Sequence, residues 1–243
     1  MAGMDFIVVN TPEEFLRMPE EYRELAIHQM LVHTEGELTG ADDYISLFYP
    51  MAPNAYEKMV CCERAAEEVD HYMRGAKCLL DVGVDTSYML KQRFDERPYY
   101  RNEMVREISS WVERGLFSFL GEAVVLEVLL EMKDSSYRPF GISFDKIISD
   151  EHTHVSHGHR IVSEMCKTKE DRANVQAAIE RFWPAALDLF GKSASSRSPE
   201  YVRWGLRKYS NEEARRRYIA KTRPRLEALG LRLPADDFNR KFV

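Results

Sequence analysis

Apolar residues recur along this chain at spacings of three and four, and period-two alternation is scarce, so helices are expected nearly throughout. Thr11, Pro12 and Glu14 read as an N-cap, a first-turn proline and a capping-box acid. After Pro19, an amphipathic stretch from about 20 to 48 predicts a long helix closed by Pro50 and Pro53. A second helix is expected from about 54 to 82, ending at Gly83 and followed by an irregular crossover containing Pro98. A third should run from about 102 to 132, where the SSYRP stretch ends it, and a fourth from about 143 to 166. A fifth, from about 170 to 190, holds Pro184 and is closed by Gly191. Ser210-Asn211-Glu212-Glu213 is a capping box that opens a late helix, with Pro224 inside and Gly230 at its end. The expected architecture is all-α: one domain over 1–243, with a four-helix bundle from about 20 to 166 and a C-terminal helical extension from about 168 to 243.

Composition narrows what such a domain can do. With 44% hydrophobic and 30% charged residues in 243, the chain can bury a core and is not disordered. A net charge of −6 argues against a nucleic-acid binder that works by neutralising phosphates. The most apolar stretch, 117–130, is interrupted by Glu122 and Glu127, so no membrane span is expected. The start, MAGMDFIVVN, lacks the pattern of a secretory leader, and Cys61, Cys62, Cys78 and Cys166 form no CxxC pair. Both fit a reducing cytoplasm, with the cysteines as core filler. Charge is uneven: residues 197–243 carry 13 basic and 6 acidic side chains, a net of +7, and the remainder carries −13. That tail either meets something anionic or forms a solvated helical surface.

Glu-x-x-His occurs twice, at Glu68/His71 and Glu151/His154. Three residues apart on a helix, a carboxylate and an imidazole project from nearly one face and can grip one ion. Both copies extend to E-x-x-H-x-x-x-G, at Gly75 and Gly158, which suggests room one turn beyond the histidine. Both also lie on apolar stripes: Cys61, Ala65 and Leu79 flank Glu68, and Phe144, Ile148, Val155 and Val162 flank Glu151. An unpaired carboxylate buried there would cost several kcal/mol or take up a proton. Each pair is preceded by a helix bearing another such acid, Glu37 before the first and Glu122 before the second. The chain therefore reads as two copies of helix-Glu, helix-Glu-x-x-His. That is the two-metal arrangement of ferritin-like bundles, with Glu37, Glu68, His71, Glu122, Glu151 and His154 as ligands. Four carboxylates balance two divalent cations, and oxygen with imidazole donors suits iron or manganese.

At these residues the chain resembles the catalytic subunits of the phenylacetyl-CoA epoxidases, in the phenylacetic acid catabolic family of diiron oxygenases. The resemblance spans about 22 to 238. It rests on His33 with Glu37, on Glu67-Glu68-Val69-Asp70-His71, on SYRPF at 136–140 and on Asp150-Glu151-His152-Thr153-His154. Further landmarks are Glu180-Arg181-Phe182-Trp183-Pro184-Ala185, Leu189-Phe190-Gly191 and the stretch from 210 to 230. It implies the same six ligands, two iron ions, O2 as co-substrate and an aromatic acyl-CoA such as phenylacetyl-CoA that is epoxidised or hydroxylated. No flavin fingerprint or iron–sulfur cysteine pattern is present. Electrons should therefore come from an external NAD(P)H-dependent reductase, and a homologous structural subunit should complete an oligomer. Two departures stand out: the family pattern holds Asp where this chain has Glu122, and family members continue well past the position of Phe238.

Rival readings of the same site are a ferroxidase or peroxide-handling protein, and a non-catalytic scaffold subunit. Several residues stay outside the site list. His33 reads either as a hydrogen-bond support for Glu37 or as an interface histidine. His157 could line the site, whereas His152 and His159 are expected at its periphery. Tyr72, Phe182 and Trp183 read as packing residues. The basic run 215–217 with Lys221 reads either as a solvated face or as a contact for phosphates.

Overall fold

Capping chemistry sets most of the observed helix ends. The structure, a computed structural model, describes residues 7–99 and 103–242. Helix α1 (Pro12–Leu16) starts where the Thr11 hydroxyl accepts the Glu14 amide at 3.2 Å. Helix α2 (Glu20–Asp43) continues through a wider, π-type stretch at Tyr44–Phe48 into α3 (Tyr49–Met51). Helix α4 (Ala55–Asp81) is capped by Asn54, and Gly83 follows it with a φ of 85°, the left-handed conformation that closes a helix. Short 3-10 turns at Ser87–Lys91 and Phe94–Glu96 occupy the crossover.

The helix expected from 102 to 132 needs correcting. Its first residue, Asn102, lies outside the described residues, and the rest is divided. Helix α5 (Glu103–Arg106) stops, and α6 (Trp111–Phe117) restarts at Ser110, whose hydroxyl accepts the Glu113 amide at 3.2 Å. A serine that can cap competes with helix continuation, and here the cap prevails. A second π-type stretch, Ser118–Glu122, joins α6 to α7 (Ala123–Met132). Helix α8 (Arg138–Met165) begins before the expected 143, because a proline in a first turn lacks only an N–H that would have no helical partner. Helix α9 (Lys169–Asp188) carries Pro184, α10 (Arg197–Arg203) was not expected, and α11 (Asn211–Glu227) opens at the Ser210 cap.

The chain forms two compact units, each discontinuous in sequence. The first comprises Met1–Glu103, Met132–Ile147 and Arg203–Arg207. In it α2 packs along α4, and Gly75 permits close approach: a Cβ there would meet the Thr34 hydroxyl at 2.3 Å. Three distant segments are tied at Ser136. Its carbonyl accepts the Val9 amide at 2.8 Å, its own amide donates to the Gly205 carbonyl at 2.8 Å, and its hydroxyl lies 3.1 Å from the Tyr22 hydroxyl.

The second unit comprises Met104–Glu131, Ile148–Val202 and Lys208–Val243. Here Gly158 brings α8 against backbone: a Cβ there would sit 2.5 Å from the Phe119 nitrogen and 2.8 Å from the Gly115 oxygen. Trp183 and Tyr218 stack at 6.1 Å, and the Tyr218 hydroxyl donates to the Leu120 carbonyl at 2.9 Å. Phe182 and Trp183 are fully buried, as packing residues should be. Among the described residues no helix is long and apolar enough to cross a membrane.

Candidate metal centre

In the first unit, α2 supplies Glu37, and α4 supplies Glu68 and His71 from one face, one helical turn apart. All three are buried, and one ligand atom from each lies within 4.8 Å of the others. His71 Nδ1 stands 3.0 Å from Glu37 Oε2 and 3.6 Å from Glu68 Oε2. Gly40 makes space for the Glu68 carboxylate, since a Cβ there would stand 3.2 Å from its carbon. The other Glu37 oxygen is occupied: His33 Nδ1 lies 2.9 Å from Oε1, donating to the carboxylate. His33 is fixed edge-on against Phe140 and Phe144, with ring centroids 5.7 and 5.0 Å away. Of its two readings, the geometry gives the hydrogen-bond support.

The electrostatics of this half are those of a cation site. Burial alone would push the His71 imidazolium down, but hydrogen bonds and charge from Glu37 and Glu68 outweigh it and raise His71 to about 11. Glu37 is held well below the usual carboxylate range, because His33 and His71 overcome the upward effect of burial.

In the second unit Glu122 ends the π-type stretch, and α8 supplies Glu151 and His154. The wider turn displaces the following side chains relative to a regular helix, a device often found at functional positions. Glu151 Oε1 lies 3.4 Å from His154 Nδ1, and ligand atoms of Glu122 and His154 are within 4.8 Å. All three are buried, His154 completely. Beside them Arg114 is fully buried and donates to His157 Nδ1 at 3.4 Å, with the His157 ring near Trp111. Arg114 was not legible in the sequence, since nothing in its spacing separates it from a surface arginine. His152 is exposed, and His159 packs edge-on to Phe119 at 4.9 Å, so both are peripheral.

Each unit thus gathers two carboxylates and one imidazole. Donors on a single ion at about 2.2 Å can lie up to ~4.4 Å apart, so the first set is within a few tenths of an ångström of what one ion spans. Oxygen and nitrogen donors, buried and without thiolate, fit iron or manganese.

Two other expectations change. The room beyond each histidine is taken by a facing helix, through Thr34 at Gly75 and through backbone at Gly158. The run 215–217 is solvated only in part: Arg216, Arg217 and Lys221 are exposed, whereas Arg215 is not. Arg215 is buried and donates to the Leu187 carbonyl at 3.0 Å, to Ser193 at 2.8 Å and to the Gly191 carbonyl, fastening the end of α9. Arg216 pairs with Glu213, Arg217 lies over Tyr209, and Lys221 pairs with Glu127.

The family model described as phenylacetic acid catabolic protein matches residues 9–241. This chain belongs to that family. Within it, the chain is 26% identical over 230 residues to one of the subunits of the 1,2-phenylacetyl-CoA epoxidase of Escherichia coli (strain K12), covering 91% of this chain and 72% of that one. Among solved structures it is similar to an R2-like ligand-binding oxidase variant with an aerobically reconstituted Mn/Fe cofactor. That match has a TM-score of 0.67 and 12% identity, covering 92% of this chain and 87% of the other. A second variant of that oxidase, reconstituted anaerobically, gives 0.64 and 13%, covering 92% and 86%. The likeness establishes the ferritin-like helical fold with added C-terminal helices, as the helix pattern predicts.

Proposed function

We propose that this family member is the oxygen-activating component of an aromatic acyl-CoA oxygenase. Glu37, Glu68 and His71 in the first unit, and Glu122, Glu151 and His154 in the second, would hold two metal ions. The observation that carries the reading is the duplication itself: each unit buries a helix-borne glutamate with a Glu-x-x-His pair. Two irons, or a manganese and an iron, would supply the electrons and Lewis acidity needed to activate O2.

The chain's own residues prepare that chemistry. His33 engages one oxygen of Glu37 and leaves the other to face His71, so Glu37 offers one oxygen to an ion. Phe140 and Phe144 hold the His33 ring edge-on, which fixes the direction of its bond to Glu37. The His71 proton must leave before that imidazole can act as a ligand. The relative's substrate suggests phenylacetyl-CoA, and its place as one component of a larger epoxidase suggests further subunits. A reductase fed by NAD(P)H would deliver electrons, and the cytoplasm would supply both reductant and thioester.

The decisive experiment is anaerobic Fe(II) loading followed by O2, with and without phenylacetyl-CoA, reading metal content, absorption and product. About two irons per chain, with the thioester converted to a ring-oxygenated product, is the expected result. Oxidation of iron indifferent to the thioester would replace the oxygenase by a ferroxidase. Less than one metal per chain would leave a scaffold.

A further inference from the structure

The stretch that follows Leu231 is tied down more firmly than a chain end needs. It runs along α9 and is fastened at three places, all inside the second unit. Gln176, in the first half of α9, exchanges two hydrogen bonds with the Arg232 backbone, each 2.8 Å. Asp236 pairs with Arg223. At the far end of α9, Asp188 accepts the Lys241 amide at 2.7 Å, the Phe242 amide at 3.1 Å and the Arg240 guanidinium at 3.3 Å. The Asp188 and Arg240 side chains are only 11% and 7% exposed. A carboxylate so sheltered, with three donors of which one is cationic, makes a stronger tie than a surface ion pair.

The residue after Asp188 shows where that tie leads. Leu189 lies against Gly121: a Cβ there would meet Leu189 Cδ1 at 3.8 Å and the Phe117 ring at 2.9 Å. Gly121 sits in the wide turn Ser118–Glu122, immediately before Glu122. A π-type turn is a rare conformation, and its neighbours must hold it against relaxing to regular helix. Helix α9 packs on that turn and on α6, where Arg181 pairs with Glu113. On the reading of Glu122 as a metal ligand, we infer that Asp188 and Arg240 are positioning residues for it: they clamp the tail onto the end of α9, and Leu189 carries the restraint to the turn. Asp188 also separates two like charges. Arg215 grips the end of α9 from α11, through the carbonyls of Leu187 and Gly191, so guanidiniums approach Asp188 from two elements. The Arg215 pKa is pushed down to about 10, by burial first and by Arg240 next, and Asp188 and Glu212 work against both. Removing the Asp188 charge therefore leaves Arg240 and Arg215 repelling each other, whereas removing the charges of Asp188 and Arg240 together does not.

Hydrogen exchange of the full, metal-free chain, read by mass spectrometry, tests this. Asp188→Asn should speed exchange of the amides of 118–122 by ~10-fold or more, together with those of the tail, and leave α4 unchanged. Adding Arg240→Gln to it should recover part of that protection, a gain that a mere loss of packing would not give. When Fe(II) competes with a chelator dye, Asp188→Asn should weaken one of the two ions by about 10-fold and spare the other. Arg240→Gln alone leaves Asp188 both amide donors and should give the same pattern at smaller size, so the test survives if Asp188→Asn fails to fold. Faster exchange in the tail with 118–122 unchanged, in either single variant, would overturn the inference, since the clamp would then only cover α9. So would a double variant looser than Asp188→Asn. Exchange is read without metal, so it decides the clamp even if the chain loads none, the result that would defeat the metal reading instead.

Discussion

The two candidate half-sites share their ligand types but not their supports. In the first, two near-regular helices present the ligands, and a histidine one turn before Glu37 holds that carboxylate by a hydrogen bond. In the second, the ligand helix changes pitch just before Glu122, and the buried cation beside the site is Arg114, bonded to His157. One half is oriented by a side chain acting on a ligand, the other by the backbone that carries it. Equivalent chemistry can thus be placed by different levels of structure, and the two should fail differently when disturbed.

Ligand removal should have the largest effect. Glu68→Ala and His154→Ala should each abolish tight loading of about one ion per chain while helicity is kept, read by metal analysis after anaerobic loading. Loss of both ions from either variant would show that the halves are not independent; unchanged stoichiometry would sink the ligand assignment. Glycine changes sharpen the contrast in helix packing. Gly158→Ala drives a methyl into backbone and should cost about 3 kcal/mol or more in urea unfolding. Gly75→Ala meets a hydroxyl that can rotate and should cost closer to ~1 kcal/mol. Equal costs would mean that the two helix approaches are equally tight.

His33→Ala should lower metal affinity of the first half by roughly 10- to 100-fold and leave the second unchanged. Competition with a chelator dye reads this directly, and equal weakening of both ions would deny His33 its orienting role. The smallest effect concerns Glu113, beside the second half's helix restart. Burial alone would raise its pKa, but the Ser109 amide and hydroxyl and Arg181 outweigh burial and depress it. Its contribution is therefore full above about 4.5 and lost as pH falls through the depressed folded value. Glu113→Gln should cost under ~1 kcal/mol near neutral pH, and the difference should close in acid. A difference that grew in acid would reverse the sign.

Much of the scaffold could be read before the structure. Asn54, Ser210 and the two Glu-x-x-His pairs are local signals, and a helix end or a shared face is a local property. What the pattern missed was decided by tertiary surroundings. The break at 107–110 depends on Ser110 winning a local competition, and the wide turn at Ser118–Glu122 leaves the apolar period looking ordinary. Arg215 reads as one of three surface arginines until the carbonyls of Leu187 and Gly191 are seen around it. Whether a buried polar residue has partners is a question about neighbours distant in sequence. The site was legible for the opposite reason, since its ligands had to lie at helical spacing.

The interleaving of the two units has a consequence for how the chain is made. The first unit lacks its last segment until residue 207 has been synthesised, and Ser136 waits for Gly205. The second waits for Tyr218 to reach Leu120. At ~5–20 residues per second, the ribosome spends about 4–15 s between residues 132 and 207. During that interval α2 and α4 are already out, bearing carboxylates that end up buried and, on α4, the exposed Met59, Val69, Met73 and Leu80, with no finished fold behind them. The nascent chain therefore passes through a window in which shielding α4 matters more than forming the site.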